Sequence, residues 1–351
     1  QSLFHRTFKF KQLFFIRFFS ALIPGFVSIP LALKGYGVWS LVFGALSGTA
    51  VQVLILWKVS PWRPKFGYDF SLAKQLFGFS SWVTLEALLG WIIVWGDSII
   101  LGHFLGVKEL GVYRVGVTFI TLLFGIFFNP LKPVAYSSFS RLQSNLIELK
   151  KSFLKSVKLI TAISLPIGVG LIILSKPISS VIFGGKWKGI EIVIGLIGIM
   201  YAIAWLVGIN PEVYRAIGRP DINSKLLIIN VIYYIPVYLL AAPHGLFIFC
   251  IARLSVSIIS LMFHFYFVRR ILKISFIYLS KFILFPMLGS VTMGIFVYIT
   301  YYFIGTFNGW QGWLKLTFII LTGCLCYLFT LKIFEKDLVK QFFNLAISIV
   351  K

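Results

Sequence analysis

The sequence predicts an all-α, polytopic membrane protein of about ten transmembrane helices, and three observations carry that prediction. Of the 351 residues 59% are hydrophobic and only 12% are charged, against about a quarter charged in a soluble domain. The mean hydropathy is +0.95. The apolar residues also fall into runs of about 20, the length at which a helix crosses the hydrocarbon core of a bilayer.

Taken in order, runs bounded by charges or turn residues give spans at 12–33, 36–57, 78–101, 110–132, 157–176, 189–210, 226–242, 245–267, 282–304 and 314–333. Pro24, Pro30, Pro166 and Pro236 lie inside spans, where neighbouring helices or water can satisfy the freed carbonyls. The basic residues set the sidedness. With the N-terminus inside, the 33 Lys and Arg residues are cytoplasmic except Lys34, Lys108, Lys176, Lys186, Lys188 and Lys315 outside and Arg114 and Arg253 within spans. That asymmetry fixes the orientation, with both termini of this chain cytoplasmic.

The loop Ser60-Pro-Trp-Arg-Pro64 marks the expected boundary between two lobes, with two helices before it and eight after. The expected organisation is 1–60 as the last two helices of an N-lobe, 61–74 as a cytoplasmic linker, 75–270 as a six-helix C-lobe, 271–334 as two further helices, and 335–351 as a cytoplasmic tail. In that tail Leu338, Phe342 and Ile347 recur at roughly helical spacing, as in a surface-lying amphipathic helix; a frayed end is the alternative. The chain starts at Gln1 without a signal-peptide pattern and reads as a fragment.

Composition also excludes functions. A formal charge of +23 would suggest nucleic acid in a soluble chain, but here the cations cluster between apolar runs, where they meet lipid head groups. No nucleic-acid partner is expected. Cys250, Cys324 and Cys326 all lie in apolar segments without metal-ligand spacing. No Asp-x-Asp, His-Glu-x-x-His or Gly-x-Ser-x-Gly pattern occurs, and Gly184-Gly-Lys-Trp-Lys-Gly189 lacks the Ser/Thr of a phosphate-cradling loop. The chain is therefore not expected to be an enzyme or to hold a metal or cofactor.

What remains is a short set of polar residues within spans. Glu86, Gly90 and Asp97 share one face, because 11 residues is close to three helical turns. Arg114, Thr118, Thr121 and Gly125 form a second stripe, Arg253, Ser257, Ser260 and His264 a third, and Arg17, Ser20 and Ser28 with Pro24 a fourth. Such stripes in an apolar bundle would enclose a hydrated cavity. For Arg17 and Arg215, snorkelling to inner head groups competes with substrate contact, and Arg114 can do the same at the outer surface. Arg253 lies deeper, which points to a cavity or an ion pair. Asp97 stands near the outer end of its span, where hydrogen bonding across the turn, or pairing with Arg114 or Lys108, is the expected arrangement. His264 reads as a hydrogen-bonded packing residue.

Asp97 to Gly116 (DSIILGHFLGVKELGVYRVG), then SSFSRLQSN, FGGKWKG and the tight RAIGRPD from Arg215 to Asp221, resemble signature segments of bacterial polysaccharide transporters. These are lipid-linked oligosaccharide flippases of the Wzx and colanic-acid-exporter type, in the multidrug/oligosaccharidyl-lipid/polysaccharide (MOP) flippase superfamily. The opening FHRTFKFKQLFFIRFFSALIPG resembles the entry to that family's fifth helix. The resemblance implies two six-helix lobes with two extra C-terminal helices, the spans here being helices five to fourteen and the first four missing.

It further implies a bacterial inner-membrane protein that flips undecaprenyl-diphosphate-linked repeat units by alternating access. Polymerases and glycosyltransferases of the same pathway would be its partners besides membrane lipid. Arginine suits a diphosphate because its planar fork donates paired hydrogen bonds. On this reading Arg253, Arg114, Arg17 and Arg215 contact the head group, and Asp97 and Glu86 serve as ion-pair or coupling groups. The competing readings are a multidrug or cation-coupled exporter of the same superfamily, and an O-antigen polymerase or ligase. The short outer loops argue against the latter, and the excess of bases over acids favours an anionic substrate.

Overall fold

The computed structural model describes residues 10–60, 70–305, 307 and 309–335, apart from the side chains of 10–14, 17, 72–76, 78–80, 82, 83 and 276. The Arg17 side chain, the proposed linker's residues 61–69 and the tail from 336 onward lie outside the described residues.

The chain is all-helical over the described residues, as an apolar sequence requires: in lipid a helix satisfies its own backbone. The helices are α1 (Phe10–Leu33), α2 (Val38–Val59), α3 (Phe70–Phe128), α4 (Leu131–Arg141), α5 (Leu146–Ile173), α6 (Ser175–Phe183), α7 (Ile190–Trp205), α8 (Asn210–Ala216), α9 (Asp221–Ala241), α10 (Leu246–Leu272), α11 (Phe276–Ile304) and α12 (Gly309–Phe334). Eight stretches are long and apolar enough to cross a membrane, and α1 carries a shorter apolar run, Phe18–Leu33. The protein is a multi-pass membrane protein.

One of the eight, Thr84–Phe128, holds the third and fourth spans expected from the sequence. Its helix is broken at Gly106, whose φ of 79° and ψ of 179° suit glycine alone. There the chain doubles back. Residues 16 apart in an unbroken helix lie about 24 Å apart, yet the Tyr113 hydroxyl bonds Asp97 and Arg114 bonds Ser98. We call the two halves the first and second arms of α3. The sixth span is likewise interrupted: α7 ends at Trp205 and α8 starts at Asn210, with Pro211 in its first turn, where a missing N–H costs nothing.

The chain divides into two compact units, Gln1–Lys74 and Gln75–Lys351. In the first, α1 and α2 pack closely because the contact positions are small. A Cβ on Gly48 would lie 2.7 Å from Pro24 Cγ, and one on Gly44 would strike Ser28 Oγ. In the second, α5 packs on α7 and α11, α10 on α7 and α9, and α12 on α11. Small residues again set the approach: a Cβ on Gly198 of α7 would meet Leu171 of α5 at 2.8 Å, and one on Gly323 of α12 would meet Val297 of α11 at 2.7 Å. Fully buried Tyr113, Phe124, Phe153 and Phe249 belong to the core these helices share. Asn145 caps α5, its side chain accepting from the amides of Ile147 and Glu148 at 3.2 Å.

Candidate functional site

The reversal at Gly106 places Asp97 of the first arm beside Tyr113 of the second, and α10 brings Arg253 to both. Arg253 Nη1 stands 2.7 Å from Asp97 Oδ2, with the carboxylate side chain 2% and the guanidinium 11% exposed. The Tyr113 hydroxyl donates to the same oxygen and accepts from Arg253, and its ring lies 5.6 Å from the guanidinium carbon. Ser98 Oγ donates to Asp97 Oδ1 at 2.9 Å. Both carboxylate oxygens are thus satisfied, the condition under which a buried charge persists. Around this pair sits an aromatic wall: Tyr113 meets Phe249 edge-on at 5.7 Å, Phe249 meets Tyr238 at 5.1 Å, and Tyr238 meets Tyr234 at 4.8 Å. Tyr234 in turn donates to the Ile92 carbonyl at 2.7 Å, above Gly96, where a Cβ would approach its hydroxyl to the same distance.

The partner of Asp97 is therefore not the one expected from local spacing. Hydrogen bonding across the turn occurs, through Tyr113, but the charge partner is Arg253 on a distant helix. Arg114 reaches Asp97 only through Ser98 Oγ, at 3.3 Å, and its guanidinium stacks over the Trp95 ring at 4.3 Å. Trp95 remains 43% exposed.

Glu86, three turns and about 16 Å along the first arm, anchors a second cluster. Arg215 Nη2 of α8 lies 2.7 Å from Glu86 Oε1, and Asn223 Nδ2 of α9 donates to that oxygen at 2.8 Å. The other side of the same guanidinium faces Glu212, at 3.3 Å. Next to it, Gly218 (φ 72°) turns the chain so that Arg219 grips Asp221 with bonds of 2.9 and 3.1 Å, and Lys225 joins Asp221 at 3.1 Å. The hydrogen bond and charge of Asp221 hold the Arg219 guanidinium above its usual pKa.

Other members of the second and third polar stripes behave differently. The His264 carbonyl accepts from Asn210 Nδ2 at 3.3 Å and from the Tyr214 hydroxyl at 3.4 Å, while its ring stacks on Tyr214 with centroids 6.5 Å apart. Thr121 bonds back to the Val117 carbonyl at 2.8 Å. Among the described residues no group of three or more His, Cys, Asp or Glu side chains is arranged to hold a metal ion.

Sequence reasoning did not single out Tyr113, Ser98, Trp95, Glu212 or Asn223. For Tyr113 and Ser98 a signal was available: a reversal near Gly106 brings the helical turn around 97 and 98 opposite the turn around 113 and 114. For Glu212 the i,i+3 spacing to Arg215 within α8 was a signal; for Asn223 none was, because its contact to Glu86 comes from a helix more than 120 residues further on.

The fold has a solved counterpart. The chain superposes with a TM-score of 0.73 on a structure of lipid II flippase MurJ in an inward closed conformation, at 20% identity, covering 91% of this chain and 67% of that one. In sequence it is similar to the teichuronic acid biosynthesis protein TuaB of Bacillus subtilis, 23% identical over 79% of this chain and 58% of TuaB. It is also similar to the succinoglycan biosynthesis transport protein ExoT of Rhizobium meliloti, 23% identical over 50% of this chain and 36% of ExoT. The chain thus spans about half the length of these relatives. Residues 1–192 match the family model described as polysaccharide biosynthesis protein. With more than half of its 351 residues matched, the chain belongs to that family.

Proposed function

We propose that the full-length protein is a transporter, not an enzyme, that moves lipid-linked oligosaccharide across the bacterial inner membrane by alternating access. Its substrate would be an undecaprenyl-diphosphate-linked repeat unit of a surface polysaccharide. Family membership and the names of the relatives, one a transport protein and one a lipid II flippase, support the class. The anionic head group is the part that hydrocarbon excludes, so the protein must supply cations within the membrane.

The observation that carries the substrate class is the charge balance of the arginines. Arg253 is neutralised by Asp97, and Arg215 is shared by Glu86 and Glu212. Arg114 alone of the three with described side chains has no carboxylate partner; it is held by Ser98 and Trp95. On this reading Arg114 is the principal head-group contact in the second unit, and Arg253 and Asp97 position the arm that presents it. Arg215 and Glu86 form the pair on the cytoplasmic side. The short loops near Lys186 and Lys188 face outward, and both ends of this chain face the cytoplasm.

Complementation tests the proposal. A flippase-deficient strain carrying the full-length gene should export repeat units and stop accumulating lipid-linked intermediates at the inner leaflet. Persistent accumulation with the protein correctly inserted would reject the reading for that substrate.

A further inference from the structure

Six basic residues in the first ten residues of α5, at the end of α10 and in the first six residues of α11 have no carboxylate partner among the described residues: Lys150, Lys155, Arg269, Arg270, Lys273 and Lys281. Contacts tie the three helix ends together. Lys150 Nζ donates to the Lys273 carbonyl at 3.3 Å and stands 5.6 Å from the centre of the Tyr278 ring, and the Ile274 amide closes the end of α10 on the Arg269 carbonyl at 3.1 Å. Two further lysines nearby are matched, Lys151 by Glu148 and Lys158 by Glu335.

Loop charge suffices to orient a membrane protein, and it works equally well when the cations are paired. At the α8–α9 turn of the same unit they are paired: Arg215 has Glu86 and Glu212, and Arg219 and Lys225 share Asp221. The α5–α10–α11 cluster departs from that pattern. In addition, α11 starts with no acidic residue in its first turn and no side-chain cap, so its free amides add positive potential to the same place. Below the cations, Ile277, Leu284 and Leu288 of α11 are exposed on one face, which matches acyl chains rather than a soluble polyanion.

We propose that this cluster is a binding site for an anionic phospholipid, its phosphate held by the six cations and its acyl chains lying along α11. Clusters of four to eight basic residues at the cytoplasmic ends of transmembrane helices attract anionic lipid through charge and are screened by salt. The site lies apart from Asp97, Arg253 and Arg114, so it stands whether or not the transport reading does.

The test is titration of the purified full chain in zwitterionic detergent with short-chain phosphatidylglycerol, phosphatidylcholine or inorganic phosphate, with bound adducts counted by native mass spectrometry. Phosphatidylglycerol should bind at least about tenfold more tightly than phosphatidylcholine, and the quadruple variant Lys155→Gln/Arg269→Gln/Arg270→Gln/Lys281→Gln should lose about that factor. The outer-loop variant Lys186→Gln/Lys188→Gln should bind as the parent does. Should the quadruple variant aggregate, Lys155→Gln/Lys281→Gln changes two exposed side chains and should still weaken binding by about threefold. Equal binding of the two lipids, undiminished binding in the inner variants, or displacement of phosphatidylglycerol by millimolar phosphate would each overturn the proposal.

Discussion

Asp97 shows how a carboxylate survives in an apolar bundle: both of its oxygens are engaged, by Ser98 on one side and by Tyr113 and Arg253 on the other. Removing one partner of a buried pair strands the other, so Asp97→Asn or Arg253→Met should each destabilise the chain by about 3 to 5 kcal/mol. The double variant should cost less than the two singles together, since neither charge is then left alone. Thermal unfolding of the purified chain in detergent measures both. Arg114 should respond oppositely. Its loss leaves no buried charge behind, so Arg114→Ala should unfold close to the parent. If it contacts the diphosphate it gives up charge-assisted hydrogen bonds of about 1.5 to 3 kcal/mol, or about 10- to 100-fold in export of repeat units by the full-length protein. Arg114→Lys should recover part of that loss, because charge is kept while the planar fork is not.

At the level of elements, the helices were legible because a bilayer imposes a length, and runs of about 20 apolar residues were plain to count. The same count set the third and fourth spans apart, and in the structure they are the two arms of α3, separated by the break at Gly106. What the sequence left hidden was which helix supplies a partner. Glu86 and Asp97 were correctly phased onto one face by the 3.6-residue repeat, but no periodicity within α3 could choose Arg253 on α10 or Arg215 on α8. Those choices depend on crossing points set by small residues elsewhere, such as Gly198 against Leu171. Gly106→Ala tests the hinge. A Cβ at φ 79° and ψ 179° is strained by about 1 to 3 kcal/mol, so the variant should unfold earlier, as thermal unfolding would register.

The whole molecule carries its charge unevenly, and that asymmetry makes a sidedness prediction. In a cysteine-free background, Trp187→Cys should react with a membrane-impermeant maleimide in intact cells, and Ser144→Cys should react only after the cells are opened. The reverse pattern would invert the proposed orientation. Composition made the membrane class plain from the start, and the order of short motifs pointed to the family that residues 1–192 match. The basic cluster at the ends of α5, α10 and α11 was not foreseen as a unit, because its cations come from helix ends more than 100 residues apart in the chain.

The hairpin of α3 has a consequence for how this stretch of chain can change in length. Surface connections ordinarily absorb insertions and deletions, and the segment from His103 to Lys108 would pass for one. Yet the tolerance ends at the helical residues that flank the break. One residue added between Lys108 and Tyr113 would rotate Tyr113 by about 100° around the second arm, away from Asp97 while Arg253 stayed in place. The spacing from the turn to Tyr113 is therefore dictated from inside the membrane, by a carboxylate that needs its neighbours. A one-residue insertion after Lys108 should cost the chain at least as much stability as losing the Tyr113 hydroxyl, which Tyr113→Phe measures on its own.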